Sequence, residues 1–205
     1  MPKEEPSNDV QINLIQEKIK ELIRQASLEK IQSYAQIPDF QLQEYDVPLR
    51  PGQVLAHRLA LVFISGKPIR ITFKVHFNHK DTREIAFRLY GVSSLDRVTE
   101  KHVIDFIKEY CNLSGGYLKK LFENIRLGLG MSLPLCMRGF DEVYSDYGEV
   151  AAPLIRFSDI WKLTYHHSSI TCTSLVEILD LNALKDVTSI ELVENSEDSE
   201  EIEFL

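Results

Sequence analysis

The chain has 205 residues, 44% of them hydrophobic and 26% charged, an ordinary globular composition that excludes a wholly disordered or fibrous chain. Its longest apolar run, the six residues Leu59 to Ile64, is far short of the roughly 20 that span a bilayer, so no membrane association is expected. Seven acidic residues and no basic ones lie between Glu191 and Leu205, and they account for most of the net charge of −8. The other 24 acids and 23 bases leave a near-neutral body without the basic face that nucleic acid requires.

Met1-Pro2-Lys3-Glu4-Glu5 is acidic with no apolar stretch behind it, so no signal peptide is expected and the expected location is the cytoplasm. Cys111, Cys136 and Cys172 show no C-x-x-C spacing, which suits reduced thiols and gives no disulfide framework or structural zinc site.

Residues 1–8, with two prolines and three charged side chains, read as a flexible start. Asp9 is placed to cap a helix whose apolar face is Ile15, Ile19, Leu22, Ile23 and Ala26, and this face is expected to pack on a sheet. The helix should end before Pro38, and Asp39 to Gly52, with Pro48 and Pro51, reads as a connecting loop. Val54 to Ile64 predicts a strand apolar on both faces. Ile69, Ile71, Phe73, Val75 and Phe77 alternate with polar residues in a second strand, and Ser65-Gly66-Lys67-Pro68 turns between the two.

Asp81 to Tyr90 has helical spacing and ends at Gly91, placed as a C′ glycine. The longest helical pattern starts near Ser94 or Thr99 and runs to about Arg126, with Gly128 and Gly130 as its stop. Further strands are expected at Leu133 to Arg138, Leu154 to Tyr165 and Ile170 to Ile178, the last two joined by His166-His167-Ser168-Ser169. A short turn and strand at Ser189 to Val193 precede an acidic tail over 194–205 that reads as a solvated terminus. The pattern predicts an α+β fold in two layers, helices on a largely antiparallel sheet, in a single domain over 9–193.

The long helix separates its residues sharply. With Asp105 set at zero and about 100° per residue, Glu109 falls at roughly 40°, Asn112 at roughly 340° and Gly116 at roughly 20°. Val103, Ile107, Tyr110, Cys111, Ser114, Leu118, Leu121 and Ile125 lie on the other side. The stripe Asp105, Glu109, Asn112, Gly116 therefore faces away from the core and is open to a partner. Glycine inside a helix costs about 1 kcal/mol relative to alanine, so the pair Gly115 and Gly116 calls for a structural reason.

Asp105-x3-Glu109-x2-Asn112-x3-Gly116, followed by Ser132-Leu133-Pro134, resembles the signature helix of the CheC, CheX and FliY phosphatases of bacterial chemotaxis. The strand hairpin leading into Asn78-His79-Lys80-Asp81-Thr82-Arg83-Glu84-Ile85-Ala86 and Leu89-Tyr90-Gly91 is similar to that family too. The resemblance covers about residues 54–178. It includes one motif, so it is nearest to the single-site CheX type. The stretch between Asn112 and Pro134 is one position shorter than the family's usual spacing.

The resemblance implies hydrolysis of the aspartyl phosphate on a CheY-like response-regulator receiver domain. Such a partner already holds the phosphoryl group, its magnesium and a lysine, so the chain needs no cofactor of its own. A carboxamide offers an acceptor and a donor at fixed geometry, which suits Asn112 to placing the attacking water. Glu109, one turn earlier, is implied to pair with the receiver's lysine and fix the docking register. Asp105 and Gly116 are the docking residues of the same stripe. A homodimer follows from the same likeness. The competing reading is a non-catalytic regulator-binding or flagellar-switch-like scaffold.

Other constellations are weaker. His76-x2-His79 and His166-His167 lack further ligands at metal-binding spacing and read as ordinary strand-end histidines. Cys111 points into the apolar sector, as a buried inert thiol does. Gly128-Leu129-Gly130 opens no helix, so it is no phosphate loop.

Overall fold

A computed structural model of the chain describes residues 8–45, 56–138 and 152–192. In chain order these form α1 (Asn8–Ala35), β1 (Gln41–Glu44), β2 (Arg58–Ser65), β3 (Ile69–Phe77), α2 (His79–Tyr90), α3 (Glu100–Glu123), β4 (Gly130–Met131), β5 (Leu135–Arg138), β6 (Ile155–Tyr165) and β7 (Ser168–Ile178). Short 3₁₀ helices add Leu95–Arg97 and Asn182–Ser189.

The strands make one sheet in the order β1-β6-β7-β3-β2-β4, with β5 following β4 along the same edge of β2. Every pairing is antiparallel, and the helices lie on one face of the sheet. The α+β, two-layer expectation holds. The hairpin register is the one the alternation demands: Val62 faces Phe73 and Ile64 faces Ile71, and the N–H of Gly66 donates to the carbonyl of Ile69 at 2.9 Å to close the turn. Alternate residues of β3 thus enter the core, where Phe73 stacks on Trp161 with ring centres 6.0 Å apart.

Helix α1 buries Ile15, Ile19, Leu22, Ile23 and Ala26 as their spacing predicts, and it packs against α3 as well as the sheet. Two bonds from other elements tie it down at Ser27, and a third within the helix orients the Ser27 hydroxyl. The Tyr110 hydroxyl donates to the Ser27 carbonyl at 3.0 Å, the Trp161 indole donates to Ser27 Oγ at 2.8 Å, and Ser27 Oγ donates to the Arg24 carbonyl at 2.7 Å. One small polar residue thereby satisfies two large buried aromatics from α3 and β6.

Five expectations are corrected. The stretch 39–52 is not loop throughout, since Gln41–Glu44 pairs with Thr164–Trp161 as an edge strand. No strand forms over the described part of 189–193. The chain instead enters a 3₁₀ helix at Asn182, where Asp180 Oδ1 accepts the N–H of Asn182 (2.9 Å) and of Ala183 (3.3 Å). The long helix ends at Glu123, and the left-handed residue that turns the chain is Arg126 (φ 63°), not Gly128. Asp9 lies inside the first turn of α1 and not before it. The β6–β7 turn is also tighter than expected: His166 and His167 alone form it, with His166 at φ 50°. The start 1–7, residues 46–52 of the expected loop, Val54 and Leu55 of the expected strand, Val193 and the acidic tail 194–205 lie outside the described residues.

Candidate functional site

Helix α3 begins on a reciprocal cap. Thr99 Oγ1 accepts the N–H of His102 at 3.3 Å, and the His102 ring Nδ1 accepts the N–H of Thr99 at 3.2 Å. From there Val103, Phe106, Ile107, Tyr110, Cys111, Ser114, Leu118, Leu121 and Phe122 are buried against α1 and the sheet. With Tyr110 anchored to Ser27, the helix cannot rotate, and the opposite stripe is turned outward. Asp105 and Glu109 are exposed, and Asn112 and Gly116 are half-buried. The structure thus brings all four stripe residues to one open face.

The two glycines do different jobs. A Cβ on Gly115 would lie 2.7 Å from Met131 Sδ and 3.3 Å from Val62 Cγ1, so Gly115 lets α3 settle onto β2 and β4. A Cβ on Gly116 would meet nothing within 4 Å. Gly116 leaves open space beside Asn112.

Beyond α3, Ser132 locks the end of the motif to the sheet. Its N–H donates to the Phe63 carbonyl at 2.9 Å and its Oγ accepts the Phe63 N–H at 3.0 Å. Leu133 is left 83% exposed, and β5 starts one residue past Pro134.

The flanks of the stripe carry opposite charge, a feature that the wheel positions of Lys101 and Lys108 hold but that a search for paired polar residues passes over. On the α1 and α2 side, Tyr34 stacks on Phe106 (5.0 Å between ring centres) and Tyr90 stacks on His102 (4.7 Å). Burial pushes the Tyr34 phenol up to about 12, with further contributions from Tyr90, Glu109 and Asp105. Tyr90 is raised by burial and then by Asp105 and Glu109. Both phenols therefore stand in the field of the two carboxylates. On the β5 side, burial raises the Cys136 thiol while the charges of Arg58 and Lys108 oppose it. Arg58 is itself held by Glu100 at 2.6 and 2.9 Å.

The remaining candidates resolve plainly. Cys111 and Cys172 are fully buried and burial raises both thiols, Cys172 to about 12. His79 Nε2 donates to the Val98 carbonyl at 3.2 Å, and His166 Nδ1 lies 3.4 Å from Glu84. Among the described residues no group of three or more His, Cys, Asp or Glu could hold a metal ion. No helix among them is long and apolar enough to cross a membrane.

No protein-family model matches the chain, and no curated protein does. Solved structures do. A CheC-like superfamily protein from Shewanella sp. PV-4 is 14% identical, with 78% of this chain and 97% of that one covered at a TM-score of 0.59. The chemotaxis protein CheX from Vibrio vulnificus is 13% identical, over 76% and 97%, at 0.56. A chain of the CheX-CheY-BeF3-Mg complex from Borrelia burgdorferi is 10% identical, over 77% and 96%, at 0.57. The likeness that the α3 motif and its preceding hairpin suggest is thus borne out in three dimensions: this chain has the CheC/CheX fold.

Proposed function

We propose that the chain is a CheX-like phosphatase that hydrolyses the aspartyl phosphate of a response-regulator receiver domain. The observation that carries this reading is the placement of exposed Glu109 and half-buried Asn112 on one outward stripe, one turn apart on a fixed helix, beside the open space over Gly116. A convex helix face without a metal-binding cluster suits insertion into another protein's site better than enclosure of a small substrate.

In this reading the Asn112 carboxamide holds a water in line with the phosphorus. The water oxygen bonds to phosphorus, the bond from phosphorus to the receiver's aspartyl oxygen breaks, and the products are a free carboxylate and inorganic phosphate, which takes the water's proton. Magnesium belongs to the receiver and supplies charge neutralisation there. Glu109 accepts from the receiver's lysine and sets the register, and neither residue of this chain acts as a general base. Asp105 adds negative charge to the same docking edge.

The test is the decay rate of a phosphorylated receiver domain at saturating protein. Asn112→Ala is expected to remove acceleration by on the order of 10²–10³-fold, or about 3–4 kcal/mol, while binding persists. Glu109→Ala is expected to weaken association, less so at high salt. Equal rates for wild type and Asn112→Ala would remove the carboxamide from the mechanism. Wild type that binds receivers without speeding decay would make the chain a scaffold.

A further inference from the structure

Around Asn112 the exposed face of α3 is divided by charge, and the division ends farther along the helix, where the exposed Lys120 falls at about 60° on the acidic side. On the wheel that places Asp105 at zero, Lys101 and Lys119 fall at about 320° and Lys108 at about 300°, a ridge on the β5 side of Asn112. Asp105 and Glu109 lie toward α1 and α2, where Tyr34 and Tyr90 feel them. Asn112 sits on the boundary between the two. A partner that docks here meets cations on one side of the carboxamide and carboxylates on the other.

Of the three lysines, Lys119 pairs with Glu123 at 3.6 Å, and Lys101 lies eleven residues from Asn112, about 16 Å along the axis. Lys108 is four residues from Asn112, about 6 Å, well within a lysine's reach. It makes no ion pair with any carboxylate among the described residues, and it is half-buried, with its charge sensed at Cys136 on β5. A charge so placed is screened less by salt than one held in open solvent.

We propose that Lys108 is the phosphoryl-recognising residue of this face, contacting the anionic phosphorylated pocket of a docked receiver domain on the β5 side of Asn112 while Glu109 receives the receiver's lysine on the other side. The inference rests on the phosphatase reading and deepens it, because it fixes which way round the receiver sits and makes binding depend on the phosphorylated state. Charge complementarity selects the occupant: an acidic pocket that carries a phosphoryl group and one lysine presents the mirror image of this face. Gly116 supplies the room for that approach.

Beryllofluoride with magnesium on the receiver's aspartate serves as a stable stand-in for the phosphoryl group. Titration calorimetry of the full chain against the loaded receiver and against the same receiver unloaded reads the effect. Lys108→Met is expected to raise Kd for the loaded form on the order of tenfold and leave the unloaded form nearly unchanged. Lys108→Arg should retain most of the preference, and Lys185→Met, on the exposed surface of the distant 3₁₀ helix, should change neither value. Circular dichroism confirms that each variant is folded. Wild-type affinity in Lys108→Met, or an equal loss for both receiver forms, would overturn the assignment while leaving the phosphatase reading standing. Wild type that bound neither form would overturn both.

Discussion

Adjacent glycines in the middle of α3 show how finely a single position divides packing from access. Helix propensity favours alanine over glycine by about 1 kcal/mol, and neither glycine has a positive φ. At Gly116 nothing opposes that gain, so Gly116→Ala is expected to raise thermal stability by about 0.5–1 kcal/mol and to slow or weaken receiver binding. At Gly115 the new methyl meets Met131 and Val62, and overpacking costs about 1–3 kcal/mol, so Gly115→Ala is expected to unfold at lower temperature than Gly116→Ala. Matched thermal melts check the order. His76 gives a second residue-scale outcome. Its Nε2 meets Thr173 Oγ1 at 3.1 Å, its Nδ1 is buried without a partner, and burial followed by the charge of Lys74 lowers it from 6.5 to about 4. Between those values the unfolded chain binds a proton that the folded chain does not, so this contribution is whole above pH 6.5 and is lost as pH falls toward 4. The loss is on the order of 3 kcal/mol, and His76→Gln is expected to flatten the urea midpoint over that range.

Between elements, the hold of α1 on the sheet depends on Arg24. Its guanidinium donates to both carboxylate oxygens of Asp159 on β6, at 2.6 and 2.7 Å, and also pairs with Glu44 on β1. The Asp159 side chain is 7% exposed, so removal of the cation strands a buried negative charge. Arg24→Leu is expected to cost about 3–5 kcal/mol in urea unfolding, and Arg24→Leu with Asp159→Leu to recover most of it. Nothing local to either residue announces this pair, which joins positions 135 apart. What was legible was periodic: the apolar face of α1, the alternation of β3 and the outward stripe of α3 follow from side-chain spacing alone. Gln41–Glu44 was not legible because four mostly polar residues become a strand only through pairing with β6. Ile190 and Leu192 show strand-like alternation, but the turn seeded by Asp180 directs the chain into a 3₁₀ helix just before them, and Ile190 and Leu192 pack on the core without pairing. The stripe and the lysines beside it were legible on the wheel, whereas which elements each flank faces required Tyr34, Tyr90 and Cys136 to be brought alongside by tertiary contacts.

For the whole molecule, the sheet has two unlike edges, and they bear on assembly. The β1 edge presents Gln41, Gln43 and Glu44, and Glu44 is engaged by Arg24. The opposite edge presents Leu133, 83% exposed, and Leu135, 48% exposed, next to the short strand β5. Backbone groups on an edge strand are templates for another strand, and polar or charged residues are the usual protection against such pairing. Among the described residues that protection is present along β1, whereas β5 has only Arg138 at its far end. An antiparallel join of two β5 edges about a two-fold axis satisfies those groups, covers both pairs of leucines and, being isologous, closes at two copies. It also leaves the outward stripe of α3 open on both copies, because that stripe lies on the helical layer and not along the strand edge. The expected outcome is a homodimer by light scattering of the full chain at micromolar concentration. Leu133→Lys combined with Leu135→Lys should convert it to a monomer with unchanged circular dichroism and an unchanged rate of receiver dephosphorylation per chain. A wild-type monomer would remove the dimer altogether, and a dimer that survived both lysines would move its interface away from β5.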